Sequence, residues 1–293
     1  MPAVETLRKE GFAVKEFPLA DAPHHGANTA ARRILFLNIM PQKAVTELDF
    51  ARTLSQAALG VDGEELDVVL LPVKIAGQTY KTTPMAHMEA FYRDFEDFEG
   101  GHYDGLILTG APVEHLDFEA VRYWPQLCRI MDWAEVHVRS TLYICWGAQA
   151  ALYHHYGIPK YGLPAKRFGV FGQEVFDAGN ALMQGLAPRF PMPNSRHTEV
   201  RGEDFAGKPV RIIAGNEESG VGVAVADVGK KVFIVGHLEY EPYTLRNEYR
   251  RDVAKGLPIA PPQYYFENDD TEGRVLYTWE RAAGLFYRNW LKL

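Results

Sequence analysis

Apolar residues along this chain fall into two rhythms, and the change comes near residue 160. In the first half, short and almost wholly apolar runs alternate with longer segments of helical period. Arg33-Ile-Leu-Phe-Leu-Asn-Ile-Met40, Leu66-Asp-Val-Val-Leu-Leu-Pro72, Tyr103-Asp-Gly-Leu-Ile-Leu-Thr-Gly110 and Thr141-Leu-Tyr-Ile-Cys145 read as strands. Runs so uniformly apolar belong inside a parallel sheet that is covered on both faces. Helices are predicted over 43–56, 85–95, 124–138 and 148–156. Strands and helices alternating at this spacing predict an α/β fold, a mainly parallel sheet flanked by helices.

Beyond residue 160 the runs shorten. Val210-Arg-Ile-Ile-Ala214, Val221-Gly-Val-Ala-Val225 and Lys231-Val-Phe-Ile-Val-Gly236 predict an antiparallel extension, or hairpins feeding the same sheet, and a last helix is expected over 279–291. The first thirty residues read as a short amphipathic helix followed by the loop Asp21-Ala-Pro-His-His-Gly-Ala-Asn28. No repeat, low-complexity tract or linker interrupts the pattern, so a single domain over 1–293 is expected.

Composition narrows the function. Hydrophobic residues at 47% and charged residues at 24% are ordinary for a globular chain. A net charge of -7 gives no support to a nucleic-acid partner, which requires a basic face. Two cysteines, Cys128 and Cys145, cannot frame a disulfide scaffold in 293 residues, and such low usage fits a reducing compartment. The N-terminal residues lack the apolar stretch of a signal peptide, and no run approaches a membrane span. A cytoplasmic protein with no membrane partner is the expectation.

The candidate chemistry centres on Cys145. In open α/β sheets ligands bind beyond the carboxyl ends of the strands. Cys145 stands at such an end, and Gly147 with its neighbouring alanines permits a tight turn into a helix. Helix N-terminal amides there would favour a thiolate and could hold a tetrahedral oxyanion. A cysteine after an apolar strand is also a common inert core residue, so the elbow alone leaves both readings open. Gly236-His-Leu-Glu-Tyr240 adds weight, because His237 and Glu239 lie two apart and share one face of an extended segment. A histidine can take the thiol proton while a carboxylate fixes its tautomer. The pair could equally ligate a metal, but no third ligand stands at a suggestive spacing, so no metal is expected. Gly110, after the third strand, could supply a second oxyanion amide or be a simple turn. His154-His155 reads as a solvated helix end.

Together these pieces resemble the homoserine O-acyltransferases of the MetA type, whose fold is class I glutamine amidotransferase-like (flavodoxin-like). The likeness runs from Leu37-Asn-Ile-Met-Pro-Gln-Lys43 to Asn289-Trp-Leu291. Its most specific pieces are Thr109-Gly-Ala-Pro112, Cys145-Trp-Gly-Ala-Gln-Ala150, Tyr153-His-His-Tyr-Gly-Ile-Pro-Lys-Tyr161, Ser195-Arg-His-Thr-Glu-Val200 and Gly236-His-Leu-Glu-Tyr240.

The resemblance implies a ping-pong acyl transfer of methionine biosynthesis, needing no cofactor beyond the acyl-CoA donor. Cys145 would carry the acyl group as a thioester, and His237, oriented by Glu239, would deprotonate the acceptor hydroxyl. The family's amino-acid-binding positions fall on Lys166, Ser195 and Arg251, and a guanidinium suits a carboxylate. Lys43 matches a family lysine near the active site, and Gly110 and Trp146 belong to the motifs around the thiol. In the family, the position occupied here by Glu114 goes with donor choice, glycine with succinyl-CoA and glutamate with acetyl-CoA. A carboxylate there would repel the succinyl carboxylate, so acetyl-CoA is the expected donor. A homodimer is also implied.

Departures come late in the chain. Pro193-Asn-Ser-Arg196 stands where the family has histidine before the serine, Gly172-Gln-Glu-Val175 replaces His-Glu-Val, and Trp279-Glu-Arg-Ala-Ala-Gly284 replaces Trp-Arg-Ser-His-Gly. Against the family pattern, the tail expected after Asn289-Trp-Leu291 is almost absent and the N-terminus reads as shortened. None touches Cys145, His237 or Glu239. They bear on the acceptor, where L-serine is the near alternative to L-homoserine, because one methylene is worth only about 1–3 kcal/mol in a pocket. A succinyl donor would also be compatible with these motifs, as would a hydrolase or amidotransferase using the same Cys-His-Glu set.

Overall fold

Ten strands form one mixed sheet in a computed structural model that describes residues 31–59, 64–80 and 82–293. In chain order they are β1 (Arg32–Leu37), β2 (Val68–Lys74), β3 (Arg93–Asp94), β4 (Tyr103–Leu108), β5 (Val138–Ile144), β6 (Tyr161–Val175), β7 (Arg189–Glu199), β8 (Val210–Asn216), β9 (Gly220–Ala226) and β10 (Lys231–Ile234). Their spatial order is β3-β2-β1-β4-β5-β10-β9-β8-β6-β7. The first six in that order run parallel, and from β10 onward every pairing is antiparallel. The predicted α/β sheet with an antiparallel extension is therefore present.

Period-two alternation divides the core. Ile34 and Phe36 of β1 face one layer, where they meet Phe50 and Leu54 of α1 (Lys43–Leu59) and Phe286 and Trp290 of a C-terminal helix (Glu280–Lys292). Leu35 and Leu37 face the other, against Leu127, Ile130 and Met131 of a helix over Trp124–His137 and Ala148, Ala151 and Leu152 of one over Trp146–Tyr156. Each leucine, isoleucine, methionine or phenylalanine among them contributes roughly 1.5–3 kcal/mol when fully buried. With Met85–Phe91 as α2, these helices are α3 (Trp124–His137), α4 (Trp146–Tyr156), α5 (Thr244–Ala254) and α6 (Glu280–Lys292). Buried Arg288 of α6 donates to Ala57 O at 2.9 Å, capping the end of α1.

Several boundaries differ from the sequence expectation. The helix predicted over 85–95 stops at Phe91, because Arg93 pairs with Val73 as a short edge strand. Strand β5 begins at Val138, and α4 starts at Trp146 rather than 148. The largest omission is the β6–β7 ribbon. Its glycines and prolines, including Pro191 and Pro193 on the edge strand, mask the strand signal. Gly169 shows why glycine is needed: its φ is +147°, and a Cβ there would lie 2.3 Å from Gln263 O. The amphipathic helix read from the first thirty residues lies outside the described residues. Among the described residues no helix is long and apolar enough to cross a membrane.

Candidate active site

The turn between β5 and α4 places Cys145 at the N-cap of the helix with φ 52° and ψ -117°. That backbone region is costly for any residue with a Cβ, roughly 1–3 kcal/mol. The strain is held by its surroundings. The Cys145 amide donates to Ile234 O of β10 at 2.7 Å, and the Gln149 amide donates back to Cys145 O at 3.1 Å. Gly147 is required because a Cβ there would sit 2.6 Å from Thr109 O, so α4 could not approach the end of β4. Gly110 lines the sulfur: a Cβ on it would lie 3.3 Å from the Cys145 Cβ and 3.7 Å from Sγ. The first amides of α4 have no intrahelical partner and so remain available at this elbow.

His237 and Glu239 follow β10, the neighbour of β5. The His237 amide donates to Pro193 O at 2.8 Å, and Gly236 packs so tightly that a Cβ would lie 2.6 Å from the same oxygen. The imidazole is buried, with Nδ1 and Glu239 Oε1 2.6 Å apart. Its Nε2 has no hydrogen-bond partner among the described residues. Burial opposes charge on this ring. The Glu239 carboxylate and then the Cys145 sulfur outweigh it, holding His237 well above its ordinary 6.5. The sulfur is thus within electrostatic reach of the ring. A raised imidazole beside a sulfur is suited to take a thiol proton. The Tyr240 ring stacks on His237 with centroids 4.1 Å apart, and Trp279 Nε1 anchors Tyr240 O at 2.7 Å.

Lys166, Ser195 and Arg251 come together, and sequence reasoning missed what joins them. Glu248 of α5 accepts from Lys166 Nζ at 2.8 Å and from Ser195 Oγ at 3.0 Å, with Arg251 Nη2 3.5 Å away. Asp252 holds Arg251 Nε at 2.7 Å. The i,i+3 spacing of Glu248 and Arg251 was the available signal. Tyr240 links this cluster to the thiol: burial raises its pKa first, followed by the charges of Glu248, Glu239 and Cys145. Arg196 was also overlooked. It is buried, lowered to about 10 by burial, and the Cys145 sulfur acts against that lowering. Asp49 of α1 lies close to the Glu239 and Glu241 carboxylates, and burial followed by those charges pushes it well above the usual carboxyl range.

Glu114 sits between two anchors. Its Oε1 accepts from the His197 amide of β7 at 3.3 Å, and its carbonyl accepts from Lys160 Nζ at 2.8 Å. Lys160 also reaches Leu116 O at 2.8 Å and lies 5.0 Å over the Phe118 ring. Lys43 and Trp146 have more structural surroundings. Lys43 Nζ donates to Asn38 O at 2.6 Å and Met40 O at 3.0 Å, and burial, opposed by Glu47, lowers it to about 8. Trp146 is buried against Phe118 and Tyr123. Two departures from the family pattern are absorbed by the ribbon: Gln173 is buried and bonds Ser219 Oγ at 2.9 Å, while Asn194 Oδ1 accepts from Arg196 Nε at 3.2 Å. His154 and His155 are not a solvated end. Their side chains are only 20% and 10% exposed, facing acidic residues of α3.

Comparison with known proteins places the chain in a family. A family model described as homoserine O-succinyltransferase matches residues 1–293. The homoserine O-acetyltransferase of Parabacteroides distasonis is 46% identical, with 99% of this chain and 91% of that protein aligned. Those of Bacteroides thetaiotaomicron and Brevibacillus brevis are 44% and 40% identical, each with 99% of this chain and 92% of the relative aligned. Among solved structures, a glutamine amidotransferase from Thermotoga maritima superposes with a TM-score of 0.53 at 15% identity, covering 92% of this chain and 98% of that one. That likeness is one of fold.

Proposed function

The chain belongs to the homoserine O-succinyltransferase family, and from that premise we propose that it is a homoserine O-acetyltransferase working through an acetyl-Cys145 thioester. The observation that carries the chemistry is the buried Cys145–His237–Glu239 set, with Nδ1 held at 2.6 Å and Nε2 left for the thiol. The relatives named homoserine O-acetyltransferase support the choice of substrates.

In the first half-reaction the Cys145 sulfur attacks the acetyl carbonyl of acetyl-CoA. The tetrahedral oxyanion is held by amides at the start of α4 and at the Gly110 turn. Collapse breaks the bond to the CoA sulfur, which leaves with the proton from His237 Nε2. In the second half-reaction Nε2 takes the proton of the homoserine hydroxyl as its oxygen attacks the thioester. Cys145 leaves as a thiolate, and O-acetylhomoserine carries the acetyl group away. Glu239 keeps its hydrogen bond to Nδ1 throughout and stabilises the imidazolium.

Acceptor binding falls to the Lys166–Ser195–Glu248–Arg251 cluster. An amino acid brings one carboxylate and one ammonium, and this cluster offers cations for the first and Glu248 for the second. Glu114 sets the donor: its carboxylate repels the second carboxylate of succinyl-CoA. The enzyme works in the cytoplasm as a homodimer, with no metal or other cofactor taking part in this transfer. A matrix of acetyl-CoA and succinyl-CoA against L-homoserine and L-serine tests the reading, with turnover expected for the acetyl-CoA and homoserine pair. Turnover confined to succinyl-CoA would sink the donor assignment, and turnover confined to serine the acceptor assignment.

A further inference from the structure

Acyl transfer leaves one motif of the chain without a purpose, the paired histidines His154-His155. They occupy the last turn of α4, at the opposite end of the helix from Cys145. Across from them on α3 stand Asp132 and, one turn later, Glu135. His154 Nε2 is 2.7 Å from Asp132 Oδ1, and His155 Nε2 is 4.0 Å from Glu135 Oε1. Taking one ligand atom each from Asp132, His154 and His155, all three lie within 4.8 Å of one another. Two imidazoles from one helix and a carboxylate from its neighbour therefore converge, without any relation in sequence spacing that would announce them.

We propose that this corner of α3 and α4 is a binding site for one divalent transition-metal ion of the zinc class, with His154, His155 and Asp132 as ligands. Zinc takes nitrogen at about 2.0–2.1 Å and carboxylate oxygen at about 2.0–2.2 Å, so the three side chains need close by only about an ångström. Asp132, with its side chain 66% exposed, can make that adjustment and leaves an entry path from solvent. His155 is the inner ligand, with its side chain only 10% exposed. The Tyr143 hydroxyl lies 3.4 Å from its Nε2. Glu135 can complete the set from outside: its Oε2 is held by Lys231 at 2.8 Å, while Oε1 faces His155. An ion here would clamp α4 to α3 about 14 Å from the thiol, given the helical rise, and so would act on stability rather than on acyl transfer.

The test is cobalt and zinc binding to the full chain and to the His154→Ala and Asp132→Asn variants. Both positions are on the solvent side of the cluster, so the variants keep the fold testable where a change at His155 could disturb it. We expect one ion per chain, a cobalt spectrum with ligand-field bands and no thiolate-to-cobalt charge transfer, and a raised melting temperature. Each variant should bind more than about ten-fold more weakly, since even groups behind a ligand matter that much. Equal affinity in the variants, a thiolate charge-transfer band pointing to Cys145 or Cys128, or no saturable binding would each overturn the proposal.

Discussion

The parallel half of the sheet and the antiparallel half contribute to this site in different ways. The parallel half carries the candidate reacting groups at strand ends: Cys145 after β5, the Gly110 turn after β4, and His237 and Glu239 after β10. Neighbouring strands in register fix these ends, as Ile144 pairs with Ile234. The antiparallel half, with α5 laid against it, supplies Lys166, Ser195, Glu248 and Arg251, which are held by one another more than by the backbone. On the proposed reading, chemistry rests on strand ends fixed by sheet register and acceptor recognition on a side-chain network. On that reading the network could be retuned without disturbing the thiol.

Substitutions at four positions would break or sharpen that contrast. Cys145→Ala should lower kcat by on the order of 10^4- to 10^6-fold, with no acetylated protein detected by intact mass spectrometry. A trapped acetyl group in this variant would place the nucleophile elsewhere. Glu239→Gln should cost about 10^2- to 10^4-fold and move the alkaline limb of the rate profile to lower pH, because the carboxylate is the largest influence raising His237. The same shift has a stability consequence. His237 binds its proton more tightly folded than unfolded, so its contribution is complete below the ordinary 6.5 and fades as pH rises through the raised value. Denaturant melts of parent and Glu239→Gln across that range would show the difference shrinking toward alkaline pH.

Changes in the antiparallel half should be smaller and more selective. Glu248→Gln should raise the acceptor KM by about 10- to 100-fold, the worth of hydrogen bonds to a charged group. Acetylation of Cys145 by acetyl-CoA alone should keep its parent rate in stopped-flow measurement, and a matching loss there would merge the two halves. Lys160→Met should have the mildest effect. It frees the backbone of the Glu114 loop, so kcat/KM for acetyl-CoA should fall by about ten-fold and the preference over succinyl-CoA should narrow. Lys160→Arg should recover part of it.

The same contrast explains what could be read in the sequence. Strands β1, β4, β5 and β10 are continuous apolar runs, and His237 with Glu239 is a local pair, so neither needs knowledge of distant partners. The ribbon of β6 and β7 hides behind Gly169, Pro191 and Pro193, whose roles depend on the close approach of Gln263 and on an edge position that only the assembled sheet defines. Glu248 stands 82 residues from Lys166 and 53 from Ser195, and no periodicity reports such a meeting. Asn194 and Gln173 looked like changes to the acceptor pocket, yet both are buried and hydrogen-bonded within the ribbon and its surroundings.

The positive φ of Cys145 has a consequence for how such a protein changes over generations. Glycine would fit that backbone without strain, so the most indispensable side chain occupies a position where its loss could make the fold more secure. On the proposed chemistry, selection for turnover keeps the sulfur there. If that selection lapsed, Cys145→Gly would be a gentle first step, giving a sturdier chain able to hold its ligands but not to transform them. Related chains with glycine at this elbow are therefore expected to be binders descended from catalysts.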